Sequence, residues 1–139
     1  MQDILLSFEL ESLKLGLLTS QKYWDKPLVI FNTASKCGFT KQLDEFQKLY
    51  ETNKMVPIAI PTNDFGSQEP GDDYEIYQYC HYNHAVQFPI VKKTNTKHKF
   101  FQMFGEPSWN FNKYIFDRQH KFIAKFDSKM LPMECLIHV

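Results

Sequence analysis

Cys37 stands where a strand-like run gives way to a helix-like segment. It follows the apolar and β-branched stretch PLVIFNTA and precedes residues with helical spacing. Open α/β sheets place ligands and reactive groups at the carboxyl ends of their strands. Backbone N–H groups at a helix start stabilise a thiolate, which is the nucleophilic form of a thiol. The position therefore predicts a nucleophilic cysteine, with a small buried packing residue as the alternative.

The chemistry open to this cysteine depends on whether a second thiol is near it in sequence. The segment Cys37-Gly38-Phe39-Thr40 has no CxxC spacing, so an ordinary dithiol oxidoreductase is not indicated. A lone activated cysteine suits attack on an external peroxide, which leaves a sulfenic acid for another thiol to reduce.

The chain has two further cysteines, Cys80 and Cys135. An odd number of cysteines without an export signal argues against a disulfide framework. Cys80 shares a predicted helical face with Ile76 and Tyr77, so the pattern alone favours core packing over a resolving role. Cys135 lies in the apolar tail LPMECLIHV and is interpreted as packing. The histidines form no cluster at ligand spacing with these cysteines, and no metal site is predicted.

Length and charge narrow the function further. The 139 residues suit one domain spanning residues 1–139, and 16 basic residues balance 16 acidic ones. A neutral chain lacks the basic surface of a nucleic-acid-binding protein. No apolar stretch is long enough for a membrane span, and the acidic start MQDILLSFELE is unlike a signal peptide. We therefore expect a cytoplasmic protein.

The elements that must position Cys37 follow from hydrophobic periodicity. A continuous apolar run predicts a central strand over residues 28–32, and a second run predicts another over residues 56–60. Between them, apolar residues at three- and four-residue spacing predict a helix with Thr40 as its N-cap and Asn53 as its stop. The segment PTNDFGSQEPGDD is predicted to be a loop.

The second half of the chain adds a helix and a hairpin. Asp72 and Glu75 form a predicted capping box that opens a helix ending near Asn83. Residues 88–91 read as extended, residues 100–104 as one or two helical turns, and residues 112–117 and 121–126 as an antiparallel hairpin. A β-α-β unit followed by such a hairpin predicts an α/β protein with a central mixed β-sheet flanked by helices.

Three separated motifs resemble the glutathione peroxidase family in its cysteine form. They are NTASKCGFTKQ from Asn32, TNDFGSQEPG from Thr62 and SWNFNKYIFD from Ser108, and the resemblance runs from about residue 7 to residue 126. It implies a thioredoxin-like fold and the reduction of hydrogen peroxide and organic hydroperoxides by a thiol. It also implies no cofactor other than a thiol co-substrate, thioredoxin or glutathione.

The resemblance assigns roles to individual residues. Cys37 in ASKCGFT matches the peroxidatic cysteine, and Gln68, Trp109 and Asn110 match the other three residues of the catalytic tetrad. Their amide and indole N–H groups are neutral donors that can hold a thiolate and stabilise charge on the leaving oxygen. Cys80 matches the resolving cysteine of members that form an internal disulfide and are reduced by thioredoxin.

The sequence also departs from the family pattern. Thr62 and Asp64 stand where many members have cysteine and glutamine, which leaves Cys80 as the internal partner. The segment over residues 92–107 lacks the long insertion of tetrameric members, so a monomer is expected. Arg118 is the only arginine, so no arginine cluster is present to bind the carboxylates of glutathione. The closing helix of the family looks truncated after Met133.

Three functions fit these observations. The first is a thioredoxin-dependent peroxidase with a Cys37–Cys80 disulfide, and a glutathione-dependent peroxidase is its variant. The second is a redox sensor that passes oxidation from Cys37 to a partner protein through a mixed disulfide. The third is a thioredoxin-like binding protein with an inert thiol.

Overall fold

The computed structural model describes residues 3–139. Its first part contains α1 (Ile4–Ser7), β1 (Glu11–Ser12), β2 (Gly16–Leu17) and the 3-10 helix Gln21–Tyr23. The central part contains β3 (Leu28–Thr33), α2 (Gln42–Glu51), β4 (Val56–Pro61) and α3 (Asp73–His84). The last part contains α4 (Lys99–Phe104), β5 (Lys113–Phe116), β6 (Phe122–Phe126) and the 3-10 helix Pro132–His138.

The main sheet has the strand order β4-β3-β5-β6. β3 pairs in parallel with β4, and the pairings of β3 with β5 and of β5 with β6 are antiparallel. This mixed sheet with helices on both faces confirms the predicted fold class. The hairpin of β1 and β2 was not predicted, because strands of two residues leave no periodic pattern.

The two faces of the main sheet are covered by separate apolar clusters. Val29 and Phe31 of β3 point into one cluster, which includes residues of α2 and α3. Leu28 and Ile30 point into the other, which includes residues of α1 and α4. Every residue of β3 and β4 is buried, as the continuous apolar runs indicated.

Most predicted elements are confirmed at nearly the predicted bounds. The capping box of α3 is formed, with Glu75 N–H donating to Asp72 Oδ1 at 2.8 Å and Asp72 N–H to Glu75 Oε1 at 3.1 Å. The extended segment over residues 88–91 bonds to the free edge of β4, where Val91 N–H donates to the Ala59 carbonyl at 2.9 Å. The hairpin of β5 and β6 lies where it was expected.

The start of α2 differs from its prediction. The N-cap is Lys41, without a side-chain capping bond, and α2 begins at Gln42. Thr40 was wrongly predicted as the N-cap, because its hydroxyl is used in the turn that carries Cys37. Asn53 lies just beyond the end of α2 with a φ of 60°, which agrees with its predicted role as the stop.

The segment after β6 contributes to the core. Cys135 lies in the 3-10 helix Pro132–His138 and is fully buried in the same cluster as Leu43 and Phe46 of α2. Its location agrees with its interpretation as a packing residue. Within residues 3–139, no helix combines the length and apolar character needed to cross a membrane.

Candidate active site

Cys37 lies in a tight turn four residues after the end of β3, and its side chain is partly buried. The Cys37 N–H donates to Thr40 Oγ1 at 3.0 Å, and that hydroxyl donates to the Ala34 carbonyl at 2.8 Å. The Phe39 N–H points at Cys37 Sγ at 3.4 Å. The N–H group that faces the sulfur therefore belongs to this turn. The sequence had indicated N–H groups at the start of α2 for this position.

The loop that carries Gln68 lies against the loop that carries Cys37. The N–H groups of Ser35 and Lys36 donate to the Gln68 carbonyl at 3.1 and 3.0 Å. The side chain of Gln68 accepts a bond at Oε1 from Asn110 Nδ2 at 3.0 Å. Since Oε1 faces Asn110, the amide N–H₂ of Gln68 is the end left to donate to another group.

Asn110 and Trp109 are held beside the same loop by backbone contacts. Asn110 is fully buried, and its carbonyl accepts the Ser128 hydroxyl. The Trp109 carbonyl accepts Asn32 Nδ2 at 2.9 Å. The Trp109 ring lies 5.6 Å from the ring of Phe65, between centroids. The predicted residues Gln68, Trp109 and Asn110 thus form one contact group, and the backbone of Gln68 joins that group to the loop of Cys37.

Gly66 permits the close approach of Trp109 to this loop. A Cβ at Gly66 would lie 3.3 Å from the Cη2 atom of Trp109, and the backbone there has a φ of 64°. Both the positive φ and the close contact favour glycine.

Glu69 is a buried carboxyl that the sequence analysis did not identify. Only 1% of the residue is exposed, and its Oε1 accepts the Ser35 N–H at 3.0 Å as well as the Ser35 hydroxyl. Burial raises the pKa of Glu69 to about 7, although the bonds from Ser35 and the charge of Lys93 act in the opposite direction. Its position directly after Gln68 was the only signal available in the sequence.

Cys80 lies in the middle of α3 and is 1% exposed. It belongs to the cluster that contains Val86 and Phe88, and the partly buried Cys37 packs against that same cluster. Burial raises the pKa of Cys80 to about 12, and the nearby charge of Glu69 acts in the same direction. Both thiols are free, and Cys80 is held in its protonated form.

A buried lysine is a second feature that sequence reasoning missed. Lys113 of β5 is fully buried, and its Nζ donates to Gln42 Oε1 at 2.7 Å and to the Ser128 carbonyl at 3.0 Å. Burial lowers the pKa of Lys113 to about 8. In Cys135, burial raises the thiol pKa to about 12, although the charge of Lys113 acts in the opposite direction.

The charged groups of the described chain do not form a metal site near Cys37. Residues 3–139 contain no group of three or more His, Cys, Asp or Glu side chains placed to hold a metal ion.

Arg118 lies at the other end of the sheet from Cys37. Its guanidinium approaches Asp25, three residues before β3 begins, whereas Cys37 follows the end of β3. The six residues of β3 separate the two, a span of about 20 Å.

Comparison with solved structures identifies the fold. A thioredoxin-like protein from Aeropyrum pernix superposes with a TM-score of 0.70 at 15% sequence identity, covering 92% of this chain and 86% of that one. The fold is therefore thioredoxin-like. The chain thus falls in the thioredoxin-like structural class, with Cys37 in the turn that follows the first strand of its main sheet.

Sequence comparison gives the family within that class. The glutathione peroxidase family model matches residues 5–104. The chain is 35% identical over 134 residues to the glutathione peroxidase homolog BsaA of Bacillus subtilis, covering 84% of each. It is 39% identical over 124 residues to the glutathione peroxidase-like peroxiredoxin HYR1 of Saccharomyces cerevisiae, covering 77% of this chain and 76% of that one. The chain belongs to the glutathione peroxidase family and is a thiol peroxidase.

Proposed function

We propose that this protein reduces hydrogen peroxide and organic hydroperoxides at Cys37, with Cys80 as the resolving thiol and thioredoxin as the reductant. The observation that carries the proposal is the bond from Asn110 Nδ2 to Gln68 Oε1, in a loop whose backbone bonds directly to the loop of Cys37. It orients the donor end of the Gln68 amide away from Asn110, where it is free to stabilise a charged oxygen or sulfur.

In the first step, the Cys37 thiolate attacks one oxygen of the hydroperoxide. The O–O bond breaks, Cys37 becomes a sulfenic acid, and the released alkoxide or hydroxide takes up a proton to leave as alcohol or water. The N–H groups of Gln68, Trp109 and Asn110 are the proposed donors to the charge that develops. Asn110 Oδ1 is buried without a partner in the described chain and supplies an acceptor for the hydroperoxide O–H.

In the second step, the Cys80 thiol condenses with the sulfenic acid to give the Cys37–Cys80 disulfide and one water. Two Cα atoms must come within about 7 Å for such a bond. Cys80 is buried within α3 and its thiol is protonated, so α3 has to open locally before Cys80 can react. Exposure to water also returns the pKa of Cys80 toward its ordinary value, which provides the attacking thiolate.

In the third step, a dithiol reductant reopens the disulfide by exchange and is itself oxidised to a disulfide. Thioredoxin is proposed over glutathione because Arg118, the only arginine of the chain, lies at the far end of the sheet. Near Cys37 the exposed cations include Lys36, Lys41 and Lys129, and lysines bind carboxylates less specifically than the arginine fork does.

The remaining expectations belong to the same proposal. We propose a cytoplasmic monomer of one domain that needs no prosthetic group and no nucleic acid. Three free thiols and the balance of 16 basic with 16 acidic residues support this assignment.

The decisive experiment combines turnover with disulfide mapping. Peroxide consumption is measured in parallel with thioredoxin plus its reductase and with glutathione, and the protein is analysed by mass spectrometry after one equivalent of peroxide. We expect faster turnover with thioredoxin, a Cys37–Cys80 disulfide, and no turnover in Cys37→Ser.

Cys135→Ser is the matched control for Cys80→Ser, because both remove a buried thiol from the same apolar cluster. We expect Cys135→Ser to keep thioredoxin-driven turnover and Cys80→Ser to lose it while still forming the Cys37 sulfenic acid. Full thioredoxin-driven turnover in Cys80→Ser would remove the resolving role. Faster turnover with glutathione would reverse the choice of reductant.

A further inference from the structure

We propose that Glu69 is a positioning residue for peroxide reduction, which fixes the loop of Cys37 to the loop of Gln68. The inference rests on the proposed role of Cys37 and adds a residue to which neither the family resemblance nor the comparisons give a role. Glu69 acts through Ser35, two residues before Cys37.

Two hydrogen bonds join Glu69 to Ser35. One carboxylate oxygen, Oε1, accepts both the backbone N–H and the hydroxyl of Ser35. Together with the bonds from Ser35 N–H and Lys36 N–H to the Gln68 carbonyl, they join two consecutive residues of one loop to two consecutive residues of the other. Such a paired attachment restricts both translation and rotation of the Cys37 turn relative to Gln68.

The backbone of Glu69 is itself held by hydrogen bonds. Its N–H donates to Asn63 Oδ1 at 2.9 Å, and its carbonyl accepts Lys93 Nζ at 3.1 Å. Lys93 Nζ also donates to the Gly71 carbonyl at 2.6 Å. The carboxyl therefore extends from a fixed backbone and can transmit that fixed position to Ser35.

The carboxyl of Glu69 occupies an unfavourable position. Glu69 is 1% exposed, and its second oxygen, Oε2, is buried without a hydrogen-bond partner in the described chain. A buried polar atom without a hydrogen-bond partner is unfavourable. A carboxyl at a site that stability alone does not favour, one residue from Gln68, points to a role in the reaction.

The surroundings of Glu69 come from three segments. Ser35 faces it from the Cys37 loop and Lys93 from the segment before α4, while the titratable groups of α3 that its charge affects are Tyr79 and Cys80. Of these, only Ser35 bonds to the carboxyl itself in the described chain. Ser35 is therefore the residue through which a substitution at Glu69 reaches Cys37.

Two reactions of Cys37 distinguish a loss of donor alignment at the site from a general disruption of the fold. The rate constant with hydrogen peroxide depends on donors aligned around the O–O bond, whereas alkylation by iodoacetamide depends on the thiolate alone. For Glu69→Ala we expect the peroxide rate constant to fall roughly 10- to 100-fold, with a much smaller change in the alkylation rate. For Glu69→Gln we expect a rate near that of the wild type, since the amide oxygen can still accept both bonds from Ser35.

Glu106→Ala is the matched control, because Glu106 is exposed and its carboxylate lies 3.6 Å from Lys97 outside this site. An unchanged peroxide rate in folded Glu69→Ala overturns the proposal. So does an equal loss in both reactions, or a loss in Glu69→Gln as large as in Glu69→Ala.

Ser35→Ala keeps the test decisive if Glu69→Ala does not fold, as judged by circular dichroism. This variant removes the hydroxyl donor and keeps the backbone N–H, so we expect a smaller selective loss of the peroxide reaction. An unchanged peroxide rate in Ser35→Ala then overturns the proposal. Failure of the wild type to consume peroxide, or full activity of Cys37→Ser, would instead contradict the proposed function itself.

Discussion

The side-chain amide of Gln68 has a defined orientation because Asn110 donates to its oxygen. A glutamine amide in solution presents donor and acceptor ends equally, and fixing one end fixes the other. Preorganised donors need no rearrangement when charge develops in the transition state, which is why a single donor can contribute strongly to a rate.

Removing this donor should slow peroxide reduction without unfolding the protein. For Gln68→Ala we expect the rate constant of Cys37 with hydrogen peroxide to fall by roughly 10²–10³-fold, the usual effect of deleting one such donor. Stopped-flow measurement of Cys37 oxidation checks this value.

The matched control is Gln119→Ala, which removes the same amide from an exposed position in the turn between β5 and β6. We expect it to leave the rate constant unchanged. A wild-type rate in Gln68→Ala would exclude Gln68 from the group of donors.

At the scale of residues, the sequence predicted the four residues of the tetrad. It did not identify Glu69 and Ser35, which bond the two loops to each other. Cys37, Gln68, Trp109 and Asn110 were predicted because they stand in recognisable motifs. Glu69 and Ser35 lie inside those same motifs, yet their proposed role depends on burial and on a bond between residues that are 34 positions apart. No local pattern encodes such a contact.

Among the elements, α3 is the one whose stability enters the proposed cycle. Only Ile76 and Cys80 of its 12 residues are buried, and Tyr77 and Tyr79 pack against the same cluster while partly exposed. Its C-cap, Ala85, has the left-handed conformation with a φ of 53°, which disfavours any residue with a Cβ. We therefore expect α3 to open at lower cost than β3 and β4, in which every residue is buried.

Stabilising the end of α3 should therefore slow disulfide formation. Ala85→Gly relieves the left-handed strain and should stabilise α3 by about 1 kcal/mol. We expect the Cys37–Cys80 disulfide to form severalfold more slowly after peroxide addition, with no change in the preceding oxidation of Cys37. Quenched-flow mass spectrometry resolves the two steps.

Glu9→Gly serves as the control for this variant. Glu9 follows α1, is exposed and has a φ of 56°, so the substitution relieves similar strain away from α3. We expect it to leave disulfide formation unchanged. Equal rates in Ala85→Gly and the wild type, together with a raised melting temperature, would show that opening of α3 does not limit this step.

The hydrophobic pattern predicted elements well where it was long, as in the continuous apolar runs of β3 and β4 and the apolar face of α2. It failed at the shortest elements and at their ends. β1 and β2 have two residues each, and the hydroxyl of Thr40 bonds to the turn of Cys37 instead of capping α2. A capping residue and a turn residue have the same sequence signature, so tertiary contacts decide between them.

At the scale of the whole molecule, two buried titratable groups make stability depend on pH in opposite directions. Burial raises the pKa of Glu69 from 4.5 to about 7, so the folded state binds more protons than the unfolded state between these values. Burial lowers the pKa of Lys113 from 10.5 to about 8, so the folded state binds fewer protons between pH 8 and 10.5. Stability rises with pH only where the unfolded state binds more protons.

We therefore expect their joint contribution to the free energy of unfolding to fall as pH rises from about 4.5 to 7 and to increase again above about 8. In each of these two pH ranges, the free energy of unfolding changes by at most about 1.4 kcal/mol per pH unit. Urea unfolding of the wild type and of the double variant Glu69→Gln/Lys113→Met, at pH 5, 7.5 and 10, measures this contribution as a difference. The single variants show which residue causes the change in each pH range. A difference that does not vary with pH would contradict both assignments.

The burial of Cys80 has a consequence for how much oxidant the protein survives. In the proposed cycle, a sulfenic acid at Cys37 does not meet Cys80 while α3 stays closed, and a second hydroperoxide can carry it to the irreversible sulfinic acid. On this proposal, the opening rate of α3 sets the peroxide concentration at which the protein is itself inactivated. Variants in which α3 is stabilised would then be inactivated at a lower peroxide concentration than the wild type.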